Sequence, residues 1–389
     1  MKLPDTTTFV HRSPESKLVF GNGSAATLQA ELAAIGVSRP VVIGGRRTAA
    51  SPLFEKVLRG LGNLPAAIYA EVPAHSSVAT VREVCALGRS HSADGFVAVG
   101  GGSASDTAKA ASLWLAEGGE LEDHASRFTP PDRLHIPVLS RPKLPIASVP
   151  STASAAEVTP SLGIRAEDGR KLLFSDPRLA SRLIVVDPEA ALCVPGAILL
   201  STGMNGLAHC LEGLYSKTRT PVTTALALHG TSLFSDALPA VARQPGSLAA
   251  RSALMAAAHL SGLVLLNART CLHHAICHAI GAASGAAHGD ANSVILPHAL
   301  RFNADAAQAE LAEGARALGA PAASPAALIE AIESLQAEIG VPRRLRDIGV
   351  DRGLLARIAE KVMGERGLYF NPKPVADAGR ILELLEAAW

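Results

Sequence analysis

Short apolar runs that do not alternate are the first pattern along this chain. Pro40–Ile43 (PVVI), Gly95–Val99 (GFVAV), Pro145–Val149 (PIASV) and Leu183–Val186 (LIVV) are hydrophobic at successive positions, and Gly, Ser or Asp follows each run. Strands of that kind are buried on both faces, as in a parallel sheet covered by helices. Helical patterns fill the intervals, so residues 1–187 are expected to form a doubly wound α/β domain of the dinucleotide-binding kind. Beyond Asp187-Pro188 the strand signals stop. Ala- and Leu-rich amphipathic stretches follow one another, for example 307–318, 324–339 and 375–388, separated by Pro and Gly. Residues 188–389 are therefore expected to be an all-helical domain, with an active site in the cleft between the two. The longest apolar stretch, Ser252–Asn267, contains His259 and Ser261; it reads as a buried helix too short to span a bilayer. The polar, Pro-rich segment 117–145 reads as a surface excursion.

Composition narrows the classes. At 389 residues there is room for two cores, and with 48% hydrophobic and 18% charged residues the chain is globular rather than disordered. A net charge of +1 leaves no electrostatic footprint for nucleic acid or an anionic membrane. The N-terminal MKLPDTTTFVHRSPESK has no apolar leader pattern, which predicts a cytoplasmic protein. Five cysteines show no disulfide spacing. Cys271 and Cys277 flank a histidine pair, but a six-residue step puts them on different helix faces, so they read as small buried hydrophobes.

Two strand ends carry candidate cofactor chemistry. After Val99 comes Gly100-Gly101-Gly102-Ser103-Ala104-Ser105-Asp106-Thr107-Ala108-Lys109. Glycines let a backbone turn tightly beside a diphosphate, and a helix starting there offers unpaired N–H groups and a positive dipole end. The alternative is a glycine-rich turn with Ser as a helix cap. Pro150-Ser151-Thr152-Ala153-Ser154 follows another strand on the same ligand-binding edge. Gly21-Asn22-Gly23 either closes the same cleft or is a plain turn. The run Gly44-Gly45-Arg46-Arg47 lacks the acid that grips an NAD ribose; Arg46 suits a 2′-phosphate, unless both arginines are simply solvated.

The candidate chemistry of the second half is imidazole. Asn205 and His209 are one helical turn apart, as are His274 and His278, and His288 follows in a Gly- and Ala-rich stretch. Singly, each is as well read as a cap or a buried hydrogen-bonding group. Together they look like a metal cage in which an amide stands where a carboxylate is usual.

The GGGSASDTAK turn, the PSTASAAEVT segment, the TGMNGLAHCLEGLYS helix and the HHAICHAIGAASGAAHGDANSVILPH stretch resemble, in order, the iron-containing, group III alcohol dehydrogenase family. The resemblance covers nearly the whole chain. It implies a dinucleotide domain, a helical domain and hydride transfer, with metal ligands falling on Asn205, His209, His274 and His288. Asn205, His273-His274, Cys277-His278, Glu157-Val158-Thr159-Pro160, Asp176-Pro177-Arg178 and Asn371-Pro372-Lys373-Pro374 are similar to the maleylacetate reductase branch. That implies reduction of an unsaturated oxo-dicarboxylate by NADH or NADPH in aromatic-ring catabolism, by a homodimer acting on a small anionic or enone substrate. Gly101, Gly102, Ser103, Asp106, Ser151, Thr152, Ser154, Lys171 and Arg46 are the expected cofactor residues. Asn205, His209, His274 and His278 are the expected catalytic ones, and Arg178 is expected to be structural.

An Asp-to-Asn change removes a formal charge from a divalent site, so an obligatory Fe or Zn is not expected; His209, His274 and His288 remain as its weak ligand set. Gly289-Asp290-Ala291-Asn292 is closer to the metal-dependent members. The small residues at 282–287 predict a roomier pocket, suiting a larger aldehyde or enone. Metal-dependent alcohol dehydrogenation and non-redox lyase or isomerase chemistry are the competing expectations.

Overall fold

The computed structural model describes residues 8–129 and 133–389. Residues 130–132, within the expected surface excursion, lie outside the described residues. The chain divides into two compact units: Ser13–Arg127 with His135–Val194, and Pro195–Trp389 with the described parts of Met1–Arg12 and Phe128–Leu134.

The first unit is built in the order β1 Lys17–Phe20, α1 Leu28–Ala34, β2 Pro40–Ile43, α2 Arg46–Ala49, α3 Pro52–Gly60, β3 Ala67–Tyr69, α4 Val78–His91, β4 Gly95–Gly100 and α5 Gly102–Glu117. Short strands β5 Arg127–Thr129 and β6 Arg133–His135, most of whose residues group with the other unit, interrupt this order, and it resumes with β7 Ile146–Pro150, the hairpin β8 Ser161–Arg165 and β9 Lys171–Ser175, then β10 Leu183–Val186 and α6 Pro188–Ala191. Six strands form one sheet in the order β1-β10-β7-β4-β2-β3, and every pairing in it is parallel.

The non-alternating runs have a direct explanation. Val41, Ile43, Phe96, Ala98 and Ile146 enter a core shared with α4 and α5, while Val42, Val97, Val99, Ala147 and Val149 enter another shared with α1 and α3. Successive side chains point to opposite faces, and both faces are covered, so every position must be apolar. From β2 the chain moves outward to β3 and returns as β4 on the other side of β2. That reversal opens a crevice at the carboxyl ends of β2 and β4, where ligands bind in such sheets. Gly44–Arg46 and Gly100–Gly102 occupy those two ends.

The second unit contains α7 Gly196–Tyr215, α8 Pro221–Arg243, α9 Leu248–Ala268, α10 Leu272–Ser284, α11 His288–Asn303, α12 Gln308–Leu318, α13 Pro325–Ile339, α14 Leu355–Val362, α15 Gly367–Phe370 and α16 Ala378–Ala388. The expected helices at 307–318, 324–339 and 375–388 correspond to α12, α13 and α16. One expectation needs correcting: α9 has 21 residues, long and apolar enough to cross a membrane by length and composition. Half of its most apolar window is buried inside the fold, where it packs against α7 and α8, so it serves as a core helix.

Helix α7 is buried almost throughout from Leu199 to Tyr215, and α11 reaches it closely at one glycine. A methyl group added at Gly289 would lie 2.9 Å from the Ser201 carbonyl carbon and oxygen. This contact brings His288, the first residue of α11, up to the helix that carries Asn205 and His209. Gly289→Ala is expected to cost about 1–3 kcal/mol through overpacking. Denaturant unfolding measures it, and an unchanged midpoint would argue against the close approach.

Candidate active site

In the first unit the glycine turn lies where the crevice opens. Gly100 adopts φ 123°, a region that favours glycine, and α5 starts at Gly102 with Gly101 as its N-cap and no side-chain cap. The alternative reading of a Ser-capped turn is thus not what forms. The Ser103 hydroxyl instead donates to the Ala74 carbonyl at 2.5 Å. Ser151 N–H donates to Gly100 O at 2.9 Å, and Thr152 Oγ1 and Ser154 Oγ sit within 3.2 and 3.7 Å of where methyls at Gly101 and Gly102 would lie. Small residues on both loops therefore leave a helix N-terminus of 16 residues uncrowded, a fit for the diphosphate of a dinucleotide.

Other expected cofactor residues have structural work in view. The Asp106 carboxylate accepts the Gly163 N–H at 3.1 Å, fastening α5 to the β8–β9 hairpin. The Lys171 stem lies over the same Gly163, and its charge acts on Asp106. Arg46 is exposed and ion-paired with Glu71. The Gly21–Gly23 segment is a turn tied to β10, with Gly23 N–H donating to Asp187 at 3.0 Å. Arg178 donates to Asp176 and to the carbonyls of Leu139, Ser140 and Arg141, which fits its expected structural role.

Sequence reasoning passed over Lys109. It is fully buried, and its ammonium donates to the carbonyls of Ala156 at 2.5 Å, Thr159 at 2.7 Å and Ser161 at 3.2 Å. Burial lowers its pKa, opposed by Asp106 and Glu157; burial also pushes Glu157 up to about 7. An Asp and a Lys three residues apart, the only charged residues of α5 before its last, were the available signal.

In the second unit Asn205 and His209 lie on α7, His273, His274 and His278 on α10, and His288 opens α11. The rings of His209 and His274 stack with centroids 4.7 Å apart, those of His278 and His288 at 5.6 Å, and His274 lies 5.8 Å from His288. The histidines expected to converge do so. Cys271 is the residue before α10 and Cys277 lies within it, and both are buried with thiol pKa values raised by burial. They are small apolar fillers, as their spacing predicts.

The residue missing from the sequence reading is Glu212. It is buried on α7, one turn beyond His209, and is the only acid in that helix. Its Oε1 accepts the N–H groups of Cys271 and His273, both at 3.0 Å, and its Oε2 accepts from His274 Nδ1 at 2.5 Å. A carboxylate only accepts, so the proton of His274 is fixed on Nδ1. On the far side, His274 Nε2 lies 3.0 Å from Asn205 Oδ1. His273 Nε2 donates to the Asn292 carbonyl at 2.9 Å, leaving its Nδ1 to face His274 Nδ1 at 3.2 Å. The outcome is a relay, Glu212–His274–Asn205, reading from the core outward.

Burial raises Glu212 to about 6, against the pull of His273 and the backbone donors. Burial lowers His273 to about 4 and holds His209 well below its usual value, with neighbouring imidazoles adding to both. His209 Nδ1 is buried without a hydrogen-bond partner among the described residues. His278 Nδ1 lies 3.2 Å from Glu365.

A divalent cation meets a poor donor set here. Glu212, His273 and His274 bring ligand atoms within 4.8 Å of one another. Those atoms already serve one another or the backbone. The outer set of His209, His274, His288 and Asn205 offers three imidazoles and an amide, with no negative charge of its own.

A two-domain oxidoreductase is the class that this fold and this site define. The chain belongs to the iron-containing alcohol dehydrogenase family: residues 14–188 match its iron-containing alcohol dehydrogenase domain and residues 199–389 its C-terminal domain. Maleylacetate reductase 2 of Cupriavidus pinatubonensis is 32% identical over 389 residues, covering 99% of this chain and 98% of that protein. The crystal structure of maleylacetate reductase from Agrobacterium tumefaciens superposes with a TM-score of 0.82 at 28% identity, covering 99% of both chains. That of a 1,3-propanediol oxidoreductase gives 0.92 at 26% identity, covering 98% of this chain and 100% of the other.

Glu212→Gln keeps an acceptor for the backbone N–H groups but turns a donor toward His274, shifting its proton to Nε2. Turnover is expected to fall about 10- to 100-fold with the fold retained, the size typical of losing a histidine's orienting partner. Steady-state kinetics beside far-ultraviolet circular dichroism decides it; full turnover would remove Glu212 from the site's chemistry.

Two histidines, His273 in the core and the partly buried His298 on α11, also set an acid limit. His273 and His298 protonate only near pH 4 when folded, against about 6.5 unfolded. Between those values the unfolded chain binds more protons, so stability falls as pH drops through that window. Roughly 1–2 kcal/mol should be lost per such histidine by about pH 5. Melting temperature against pH tests this, and a flat profile from neutrality to that pH would contradict it.

Proposed function

We propose that this oxidoreductase is an NAD(P)H-dependent reductase of the maleylacetate reductase type, transferring hydride to an unsaturated oxo-acid or a related enone, without an obligatory metal. The Glu212–His274–Asn205 relay carries this reading. When bound, the nicotinamide cofactor supplies the hydride. The glycine turn and the N-terminus of α5 hold its diphosphate, with Ser151, Thr152 and Ser154 as the facing loop.

The chain's own part is the proton. Hydride added to an oxo or enone carbon leaves negative charge on oxygen, and an imidazolium is the acid matched to neutral pH. His274 is oriented by Glu212, which stabilises its protonated form. Asn205 suits both states of the ring: its amide oxygen accepts from the imidazolium, and its amide nitrogen, after half a turn, donates to the neutral ring. An aspartate cannot donate in the second state and would favour a cation instead. The imidazoles of His209, His278 and His288 stand nearby, and ring N–H groups of this kind suit an anionic substrate. The absence of an acid at Gly44–Arg47 favours NADPH, though the Glu71 partner of Arg46 has to be displaced for that arginine to reach a phosphate. A homodimer and a small-molecule substrate belong to the same proposal.

The test is nicotinamide oxidation with oxo-dicarboxylates, enones and aldehydes, using NADH and NADPH in parallel with metal analysis. Oxo-acid reduction that survives chelation is expected. Near-stoichiometric Fe or Zn, with activity lost on chelation and restored by that metal, would overturn the metal-free reading in favour of alcohol dehydrogenase chemistry. Asn205→Asp should raise divalent-metal affinity by on the order of tenfold or more, read by calorimetry, because it restores the anionic ligand.

A further inference from the structure

The turn between α9 and α10 holds an arginine in a conformation that arginine rarely takes. Arg269 has φ 65° and ψ 166°, a region populated almost entirely by glycine. The turn is over-determined around it. The Ala268 carbonyl accepts the hydroxyls of Ser216 and Thr218, Arg269 N–H donates to Leu265 O at 3.3 Å, and Cys271 N–H donates to Glu212. Strain of this kind persists only where the surrounding structure over-determines it, and it clusters at active sites and ligand clamps.

A second arginine is packed beside this turn. A methyl group at Gly367 would lie 2.5 Å from the Cys271 carbonyl oxygen, so the backbone next to Arg366 presses on the residues that follow Arg269. Cys271 Sγ also lies 3.5 Å from the Phe370 carbonyl, and Leu272 N–H donates to Asn371 at 3.3 Å. Burial lowers the pKa of both guanidinium groups, Arg12 adds to the effect on Arg269, and Arg269 adds to that on Arg366. The nearest acid acting on Arg366 is Glu365, and that carboxylate already faces His278. Two partly buried guanidinium groups thus repel one another with no ion pair to either among the described residues, one residue away from the acid that touches the histidine cluster. Asn267 clamps the backbone of a third, Arg12, to the end of α9, with bonds of 2.8 and 3.0 Å.

We propose that Arg269 and Arg366 form an anion subsite that receives a carboxylate of the substrate. Guanidinium groups bind carboxylates through paired N–H donors, and an incoming anion removes the repulsion that the empty pair carries. The inference rests on the reading of the substrate as an oxo-acid, and it selects dicarboxylates: one carboxylate on the arginines, the reacting oxo or enone group at His274.

The experiment uses the full-length enzyme with succinate as the dicarboxylate probe and dimethyl succinate as the uncharged control, by calorimetry, alongside oxo-dicarboxylate kinetics. Arg269→Gly is the informative variant because it relieves the backbone strain and should melt no lower than the parent. Arg366→Gln is its partner. Succinate should bind saturably and its ester should not. Each variant should weaken succinate binding by at least about tenfold and raise KM for the oxo-dicarboxylate more than it lowers kcat. Parental succinate affinity in both variants, with oxo-acid reduction intact, overturns the subsite and leaves the reductase reading standing. Succinate binding that depends on both arginines in an enzyme that reduces no oxo-acid supports the subsite and overturns the reductase reading. No succinate binding by the parent overturns the subsite.

Discussion

The helical unit is organised around one carboxylate that water does not reach. Glu212 receives two backbone N–H groups on one oxygen and the His274 ring on the other, so its charge is shared among three donors from a single turn and the helix after it. Removing such a group would leave buried donors unpaired, a cost of several kcal/mol for a charged centre. The same three bonds fix the start of α10, the tautomer of His274 and the strained turn before it. Position, tautomer and backbone conformation around His274 are therefore a single constraint, set by one buried residue.

The sheet unit uses a buried charge in a comparable way, with the sign reversed. Lys109 satisfies its three N–H donors on three carbonyls between Ala156 and Ser161, and Asp106, one turn earlier, holds the Gly163 N–H. Together they lock the wall opposite the glycine turn. A buried ion is weak evidence for net stability, because its desolvation cost is large. Its value lies in geometry: a loop of small residues has few apolar contacts to define it, and directional bonds to an ammonium supply that definition.

Much of this was legible in the sequence where periodicity and covering layers coincide. The four apolar runs became β2, β4, β7 and β10 because both faces of the sheet are packed, and the histidine spacings became facing turns because α7 and α10 are regular. What escaped was whatever depends on partners far along the chain. β3 has only three residues, and the β8–β9 hairpin buries alternate positions, so it shows no continuous apolar run like those of the sheet. Glu212 was in view, seven residues after Asn205, yet an acid in a helix reads as solvated until its burial is known. Arg269 could not be read at all, since a positive φ leaves no trace in a side chain that ordinarily avoids it.

An amide where a carboxylate is usual first reads as a defect in a metal cage. The proposed reductase reading gives it a different part, because the carboxylate beside His274 stands on the other side of the ring. With Glu212 behind His274, a second acid in front would hold the imidazolium between two negative charges and make its proton hard to release. An amide adds no charge, so the proton can leave toward a developing oxyanion and the ring that remains still finds a donor. A cation would satisfy an aspartate in that place; a proton-transferring ring is better served by asparagine. On the proposed reading, the amide at Asn205 favours proton transfer over cation binding, and the buried glutamate is what makes that choice consequential.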